Sequence, residues 1–293
     1  MALALDQQTF IITGAGKGLG RGYALHLAAL GANVVVNNRR HEGESRSSAE
    51  RLVDEITAAG GSAVAEHSEV ESPDCGERLL AAALDTFGSL DGLVANAGVS
   101  EGRSFNKQEL SDFRRVVEIN LMGTVHAVHP VFRHLYRHRR GSIVLSTSVA
   151  GLYGEHGLPA YSTSKAGLLG LMQALSKEGR GHDVRVNALA PYAATQMTEE
   201  NLPAAMRERL RPERVAPVVA WLLSGDCRVT GETIIAGGGR MTTAGVREPE
   251  PVAIPDNADF GAIAKAWDEL GQRSLEKAYR GALDHFAGFM GGR

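Results

Sequence analysis

Three side chains in the middle of this chain could together move a proton to or from an oxygen atom: Ser148, Tyr161 and Lys165. Tyr161 and Lys165 are four positions apart in the run Tyr161-Ser162-Thr163-Ser164-Lys165, so on a helix they share one face. A phenol ordinarily titrates at about 10, too high for easy proton exchange at neutral pH. The spacing predicts that the Lys165 ammonium favours the phenolate and pulls the Tyr161 pKa down into the range of a general acid/base. Ser148 follows a β-branched run, where its hydroxyl could hydrogen-bond a carbonyl oxygen and stabilise charge developing there. Each residue also has a plainer reading: Tyr161 as packing, Lys165 as a surface charge, Ser148 as a strand-end cap.

A second constellation lies near the start, in Thr13-Gly14-Ala15-Gly16-Lys17-Gly18-Leu19-Gly20. Glycines 14, 18 and 20 would let the backbone turn sharply and bring helix N-terminal amides up to a pyrophosphate. The plainer reading is a glycine-rich turn with no ligand. About twenty residues further on, a carboxylate would hydrogen-bond the ribose of NAD, whereas a cation would accommodate the extra phosphate of NADP. Here the run VVVNNRR puts Asn38 at the acidic position and Arg39 after it, with Lys17 inside the turn. Two cations without a competing carboxylate favour NADP, with NAD as the alternative. Arg39 and Arg40 could also be ordinary solvated loop residues.

The elements that must carry these groups are legible as an alternation. Short β-branched runs (TFIIT, NVVVNN, AVAEHS, LDGLVAN, SIVLST, VRVNAL, ETIIA) are separated by amphipathic segments such as SAERLVDEITAAG, which ends on glycine. This predicts an α/β fold: a doubly wound, parallel sheet of about seven strands with helices on both faces. Residues 1–245 form the dinucleotide-binding and catalytic domain in this reading. The Pro-rich stretch at residues 246 to 256 is a linker, and the remainder to residue 293 is a C-terminal helical extension.

In order and spacing, Thr13-Gly14, Gly18, Gly20, Asn96-Ala97-Gly98, Asn120, Ser148, Tyr161 and Lys165 resemble the short-chain dehydrogenase/reductase family, over residues 8 to about 240. The resemblance implies a Rossmann-type fold. It also implies that Tyr161 exchanges the proton, Ser148 orients the substrate oxygen, Lys165 also holds the nicotinamide ribose, and Asn120 supports a water in the proton relay. Tyr161 and Lys165 thus count among the cofactor contacts, with Gly16, Leu19, Asn38, Glu69, Val70, Asn96, Ala97, Gly98, Pro191 and Thr195. From its local sequence alone, Asn120 reads equally well as a polar residue capping or kinking a helix. The run from residue 151 to residue 198 is further similar to the (3R)-hydroxyacyl-CoA dehydrogenase unit of the peroxisomal multifunctional β-oxidation enzyme. Two departures stand out: Asn38 replaces an acidic residue, and the family's Pro-Gly reads Pro191-Tyr192.

The resemblance implies hydride transfer between NADP(H) and a secondary alcohol or ketone, with a 3-hydroxyacyl thioester as the preferred substrate. A steroid, polyketide or small cyclic alcohol, and a dinucleotide sensor without catalysis, are the alternatives. The bulk properties set further expectations. A net charge of -3 gives no complementarity to nucleic acid or an anionic membrane. Neither a basic leader nor a long apolar run is present, and the two cysteines lack metal-ligand spacing, so a cytoplasmic protein is expected. His126, His129, His134 and His138 recur at helical spacing, but with no carboxylate or cysteine to complete a ligand set no metal is expected. The run GLLGLMQAL is apolar nearly all round, and with the helix after Asn120 it predicts a homodimer or homotetramer face.

Overall fold

The computed structural model describes residues 5–41, 43–194 and 203–290. Among the described residues eight strands form one sheet: β1 (Thr9–Ile12), β2 (Asn33–Asn37), β3 (Ser62–Glu66), β4 (Gly92–Ala95), β5 (Gly141–Ser146), β6 (Val184–Pro191), β7 (Thr233–Gly237) and β8 (Arg240–Ala244). Their order is β3-β2-β1-β4-β5-β6-β7-β8, and β1 to β7 pair in parallel. The helices preceding the last strand are α1 (Gly18–Ala29), α2 (Ser48–Ala58), α3 (Cys75–Phe87), α4 (Leu110–Val117), α5 (Gly123–His138), α6 (Val149–Tyr153), α7 (Pro159–Gly179), α8 (Ala204–Arg209) and α9 (Ala216–Leu223).

The strands read as continuous apolar runs because both faces of the sheet are covered. Every residue of β1 is buried: Phe10 and Ile12 pack with α1, α2 and α9, while Ile11 points the other way into the cluster under α3, α5 and α7. Each such side chain contributes about 1.5–3 kcal/mol by leaving water. Local signals set the helix ends. Ser47 Oγ accepts the Glu50 amide at 3.1 Å while the Glu50 carboxylate accepts the Ser47 amide at 2.7 Å, a reciprocal cap that starts α2.

The sheet reverses its winding at β1, which lies between β2 and β4, and a crevice opens there at the carboxyl ends of the strands. The glycine turn and the Asn96-Ala97-Gly98 run are both delivered to this crevice, directly after β1 and β4. The expected seven strands are exceeded by one. β8 joins β7 through Gly238 and Gly239, at φ 59° and 77°, a two-residue link that requires antiparallel strands. Its sequence RMTTA is short and mostly solvent-exposed at the sheet edge, so it carries no apolar run to announce it.

Chain contacts divide the protein at Thr243 and Ala244 into two compact units. The second unit contains α10 (Phe260–Gly271), capped by Asp259, and α11 (Ala282–Phe289). Within it Glu248 and Lys277 form a bridge, Lys277 pairs with Glu250, and His285 contacts the Glu248 carboxylate at 3.0 Å. None of its described residues is buried, so polar links rather than a core define its form.

Candidate active site

The turn after β1 is shaped by two close approaches. Gly14, at φ 63°, lies so near the chain after β4 that a Cβ there would sit 2.8 Å from the Ala97 Cα. A Cβ on Gly20 would meet Asn96 Nδ2 at 2.8 Å, so α1 leaves the turn pressed against the end of β4. Thr13 and Asn96 lock the two segments: Thr13 Oγ1 accepts the Asn96 and Ala97 amides at 3.0 and 3.1 Å, and Asn96 Nδ2 donates to the Thr13 carbonyl at 3.1 Å. Lys17 occupies the N-cap of α1 without capping it through its side chain. The first amides of α1 therefore face the crevice without a side-chain cap, an arrangement suited to an anion.

Gly14, Lys17, Gly18, Leu19, Asn38, Arg39, Glu69, Val70, Asn96, Ala97 and Gly98 all line one cleft of about 400 Å³. Thr13, Gly16 and Gly20 stand behind its wall as spacers: a Cβ on Gly16 would lie 2.9 Å from the Asn38 side-chain carbon. Asn38 turns its amide inward, donating to Ser48 Oγ at 2.9 Å and to the Arg39 carbonyl at 3.2 Å. Arg40 is committed to Glu50, whereas the side chains of Lys17 and Arg39 form no ion pair among the described residues. Asn37, His41, Ser68, Glu71, Val99, Ser100 and Ile119, not expected from the sequence, line the same cleft. His41, two residues past Arg39 in the same loop, was an accessible signal.

The second half of the crevice is built from β5, α6 and α7. Ser148 caps α6, its Oγ accepting the Ala150 amide at 3.1 Å, and it also hydrogen-bonds Tyr161. Pro159 opens α7 at a position where its missing amide costs nothing, which sets Tyr161 in the first turn and Lys165 in the next. Lys165 is 4 % exposed, donates from Nζ to the Ser146 carbonyl at 2.7 Å, and lies 5.8 Å from the centre of the Tyr161 ring. Thr147 Oγ1 holds the backbone of the same lysine, donating to its carbonyl at 2.7 Å.

Asn120 lies in a π turn, Glu118–Met122, between α4 and α5. It is fully buried, and its side chain is committed: Oδ1 accepts the Val99 amide at 2.8 Å, while Nδ2 donates to the Val99 carbonyl at 2.9 Å and to Ser164 Oγ at 3.1 Å. Ser164 in turn donates to the Tyr161 carbonyl at 2.8 Å, so the turn is tied to the tyrosine's own backbone. Gly98 joins the two halves of the crevice, since a Cβ there would sit 3.0 Å from Asn120 Oδ1 and 3.4 Å from Lys165 Nζ. Pro191 ends β6 at the same carboxyl edge, and Thr195 lies outside the described residues.

One electrostatic expectation is corrected. Tyr161 is raised above the ordinary phenol value, because burial penalises the phenolate more than the Ser148 hydrogen bond favours it. The Lys165 ammonium lies near the ring rather than hydrogen-bonding the hydroxyl, and its own burial pushes it down to about 8. Two of the four helical histidines make backbone hydrogen bonds: His126 with the Val70 carbonyl and His138 with the His134 carbonyl. Among the described residues no three His, Cys, Asp or Glu converge as metal ligands, and no helix is long and apolar enough to cross a membrane.

Residues 8–205 match the model of the short chain dehydrogenase family. The chain belongs to that family. It is a Rossmann-fold oxidoreductase acting on CH–OH groups, with a nicotinamide dinucleotide as redox partner. It is 36% identical over 276 residues to a short-chain type dehydrogenase/reductase of Mycobacterium tuberculosis, covering 91% of this chain and 94% of the relative. It is 39% identical to the mouse peroxisomal multifunctional enzyme type 2, covering 81% of this chain but only 32% of that longer protein. A 3-oxoacyl-[acyl-carrier-protein] reductase of Synechocystis is 36% identical, with 81% and 98% covered. The crystal structure of a short chain dehydrogenase from Mycobacterium avium superposes with a TM-score of 0.84 at 34% identity, over 95% of this chain and 100% of that one.

Proposed function

We propose that this short-chain dehydrogenase uses NADP(H) in preference to NAD(H) and interconverts 3-oxoacyl and 3-hydroxyacyl thioesters. The cofactor choice rests on Lys17 and Arg39, cations that line the same cleft as Asn38 and form no ion pair among the described residues. A ribose phosphate would gain charge-assisted hydrogen bonds there and meet no carboxylate at residue 38. The substrate class is supported by the similarity to the Synechocystis 3-oxoacyl-[acyl-carrier-protein] reductase.

The carrying observation for catalysis is the convergence of Asn120 and Lys165 on Gly98, where a Cβ would lie within 3.4 Å of both side chains and the cofactor cleft meets the tyrosine helix. The α1 amides and the glycine turn hold the pyrophosphate, and Lys165, with Nζ hydrogens beyond the one given to Ser146, holds the nicotinamide ribose. When bound, the reduced nicotinamide supplies the hydride that the carbonyl carbon accepts. Tyr161 donates its phenolic proton to the carbonyl oxygen, and Ser148 hydrogen-bonds the same oxygen as charge builds on it. In the oxidation direction the phenolate form of Tyr161 accepts the alcohol proton. Its raised pKa keeps it protonated and ready as the acid for reduction. Asn120 acts as the post that holds residue 99 and α7 in register.

Residues 1–245 carry this chemistry, with 246–293 as a linker and helical extension. The α5 and α7 faces form a homodimer or homotetramer contact, for a cytoplasmic enzyme; a groove lined by Val128, Phe132, Leu171 and Leu175 offers the apolar surface. The deciding experiment follows NADPH and NADH consumption with acetoacetyl-CoA, a steroid ketone and a simple cyclic ketone. Faster turnover of NADPH with the thioester is expected. Preference for NADH would overturn the cofactor assignment, and turnover confined to the steroid or cyclic ketone would overturn the substrate class.

A further inference from the structure

Past the end of β6 the chain stays extended for one more residue, and that residue is a tyrosine. The Ala188 amide donates to the Glu232 carbonyl at 2.9 Å and the Tyr192 amide to the Ala236 carbonyl at 2.8 Å, so the pairing with β7 keeps its two-residue period through Tyr192. Side chains alternate across a strand, and Val184, Val186 and Ala188 all enter the core beneath α5 and α7. Tyr192 has the same parity. Its side chain therefore rises on the sheet face that carries α7, with Tyr161 and Lys165, rather than on the face of α1.

Register places it beside the reacting groups. Ser146 of β5 pairs with Leu189, so the chain leading to Ser148 runs next to the chain leading to Tyr192. The position is also rigid. A Cβ on Gly237 would lie 2.6 Å from the Tyr192 Cβ, so only glycine at 237 lets the tyrosine backbone close onto β7. Yet the Tyr192 side chain is left 48 % exposed, although its backbone is fixed in the sheet.

We propose that Tyr192 is a specificity-determining residue: its ring walls the substrate end of the crevice, admitting a linear chain alongside it and excluding fused-ring ketones. The proposal rests on the assignment of Ser148 and Tyr161 to the carbonyl oxygen. A linear acyl group can lie along the flat ring and cover its exposed surface, whereas a rigid bicyclic body occupies the volume of the ring itself. Differences in pocket volume of this kind are worth about 10- to 200-fold in discrimination.

The test compares wild type, Tyr192→Gly and Tyr192→Phe by kcat/KM for acetoacetyl-CoA and for trans-1-decalone with NADPH. Tyr192→Gly should raise the decalone-to-thioester ratio at least about tenfold, and Tyr192→Phe should leave it within about twofold, since the ring and not the hydroxyl makes the wall. A ratio unmoved by Tyr192→Gly, in protein with wild-type NADPH affinity and thermal midpoint, would overturn the proposal. If wild type turns over neither ketone, the underlying assignment of the site fails separately. Tyr192 is then judged by decalone binding to the NADPH complex, read from nicotinamide fluorescence. A dissociation constant at least about tenfold lower in Tyr192→Gly sustains the wall, and an equal one removes it.

Discussion

The two ends of the crevice are built on opposite principles. At the adenosine end, Lys17 and Arg39 line an open cleft, and neither is held in an ion pair among the described residues. At the proton-transfer end, Asn120, Ser164, Thr147 and Lys165 are buried and tied to backbone carbonyls by bonds of 2.7–2.9 Å. Long solvated cations can adapt to a ligand that brings its own charge, and ordering them costs only side-chain entropy. Groups that must act on a proton cannot wait to be arranged, because misplacement by about 1 Å can cost a hundredfold in rate. The contrast predicts large, all-or-none effects at the buried end and graded ones at the open end.

Tyr161→Phe should produce the largest effect: turnover falls by about 10²- to 10⁴-fold or more while NADPH affinity, measured by fluorescence titration, stays near wild type. Near-normal turnover would remove Tyr161 from proton transfer.

Lys165 comes next, and its effect on stability is separable from its hold on the cofactor. Its folded pKa of about 8 lies below the unfolded value near 10.5, so the unfolded chain binds more protons between those values. Folding stability should therefore rise with pH across that interval, with a full amplitude on the order of 3 kcal/mol. Above about pH 10 the rise is opposed by Tyr161 and Tyr23, whose raised phenol values lose stability as pH climbs. Urea denaturation at pH 7.5 and 9.5 checks this: wild type should gain stability and Lys165→Met should lack the gain. An equal pH response in both proteins would show that burial of this ammonium is not what the fold opposes.

At the open end, Arg39→Ala should weaken NADPH binding by about tenfold, the loss of a hydrogen bond to a charged group, and leave NADH nearly unchanged. Equal losses for both cofactors would mean that Arg39 does not read the ribose phosphate. Lys17→Ala should have the smallest effect, a few-fold on NADPH that fades with added salt, because an exposed point charge is readily screened. A Lys17 effect exceeding that of Tyr161→Phe would erase the contrast between the two ends.

Much of this was present in the one-dimensional pattern. The β-branched runs, the glycine turn and the four-residue step from Tyr161 to Lys165 depend on local periodicity and turn chemistry, so they determined β1 to β7, the crevice at β1 and β4, and the shared face on α7. β8 escaped because a short, exposed edge strand needs no apolar signature. The tertiary structure alone decided that the Asn120 side chain is spent on Val99 and Ser164, partners 21 and 44 residues away. It alone decided that Tyr161 moves up rather than down, since a pKa depends on how many atoms from distant segments exclude water and on where the ammonium ends up. Spacing along a helix reports which groups can meet; the dielectric around them, and the atoms that claim their hydrogen bonds, come from chain that folds back from elsewhere.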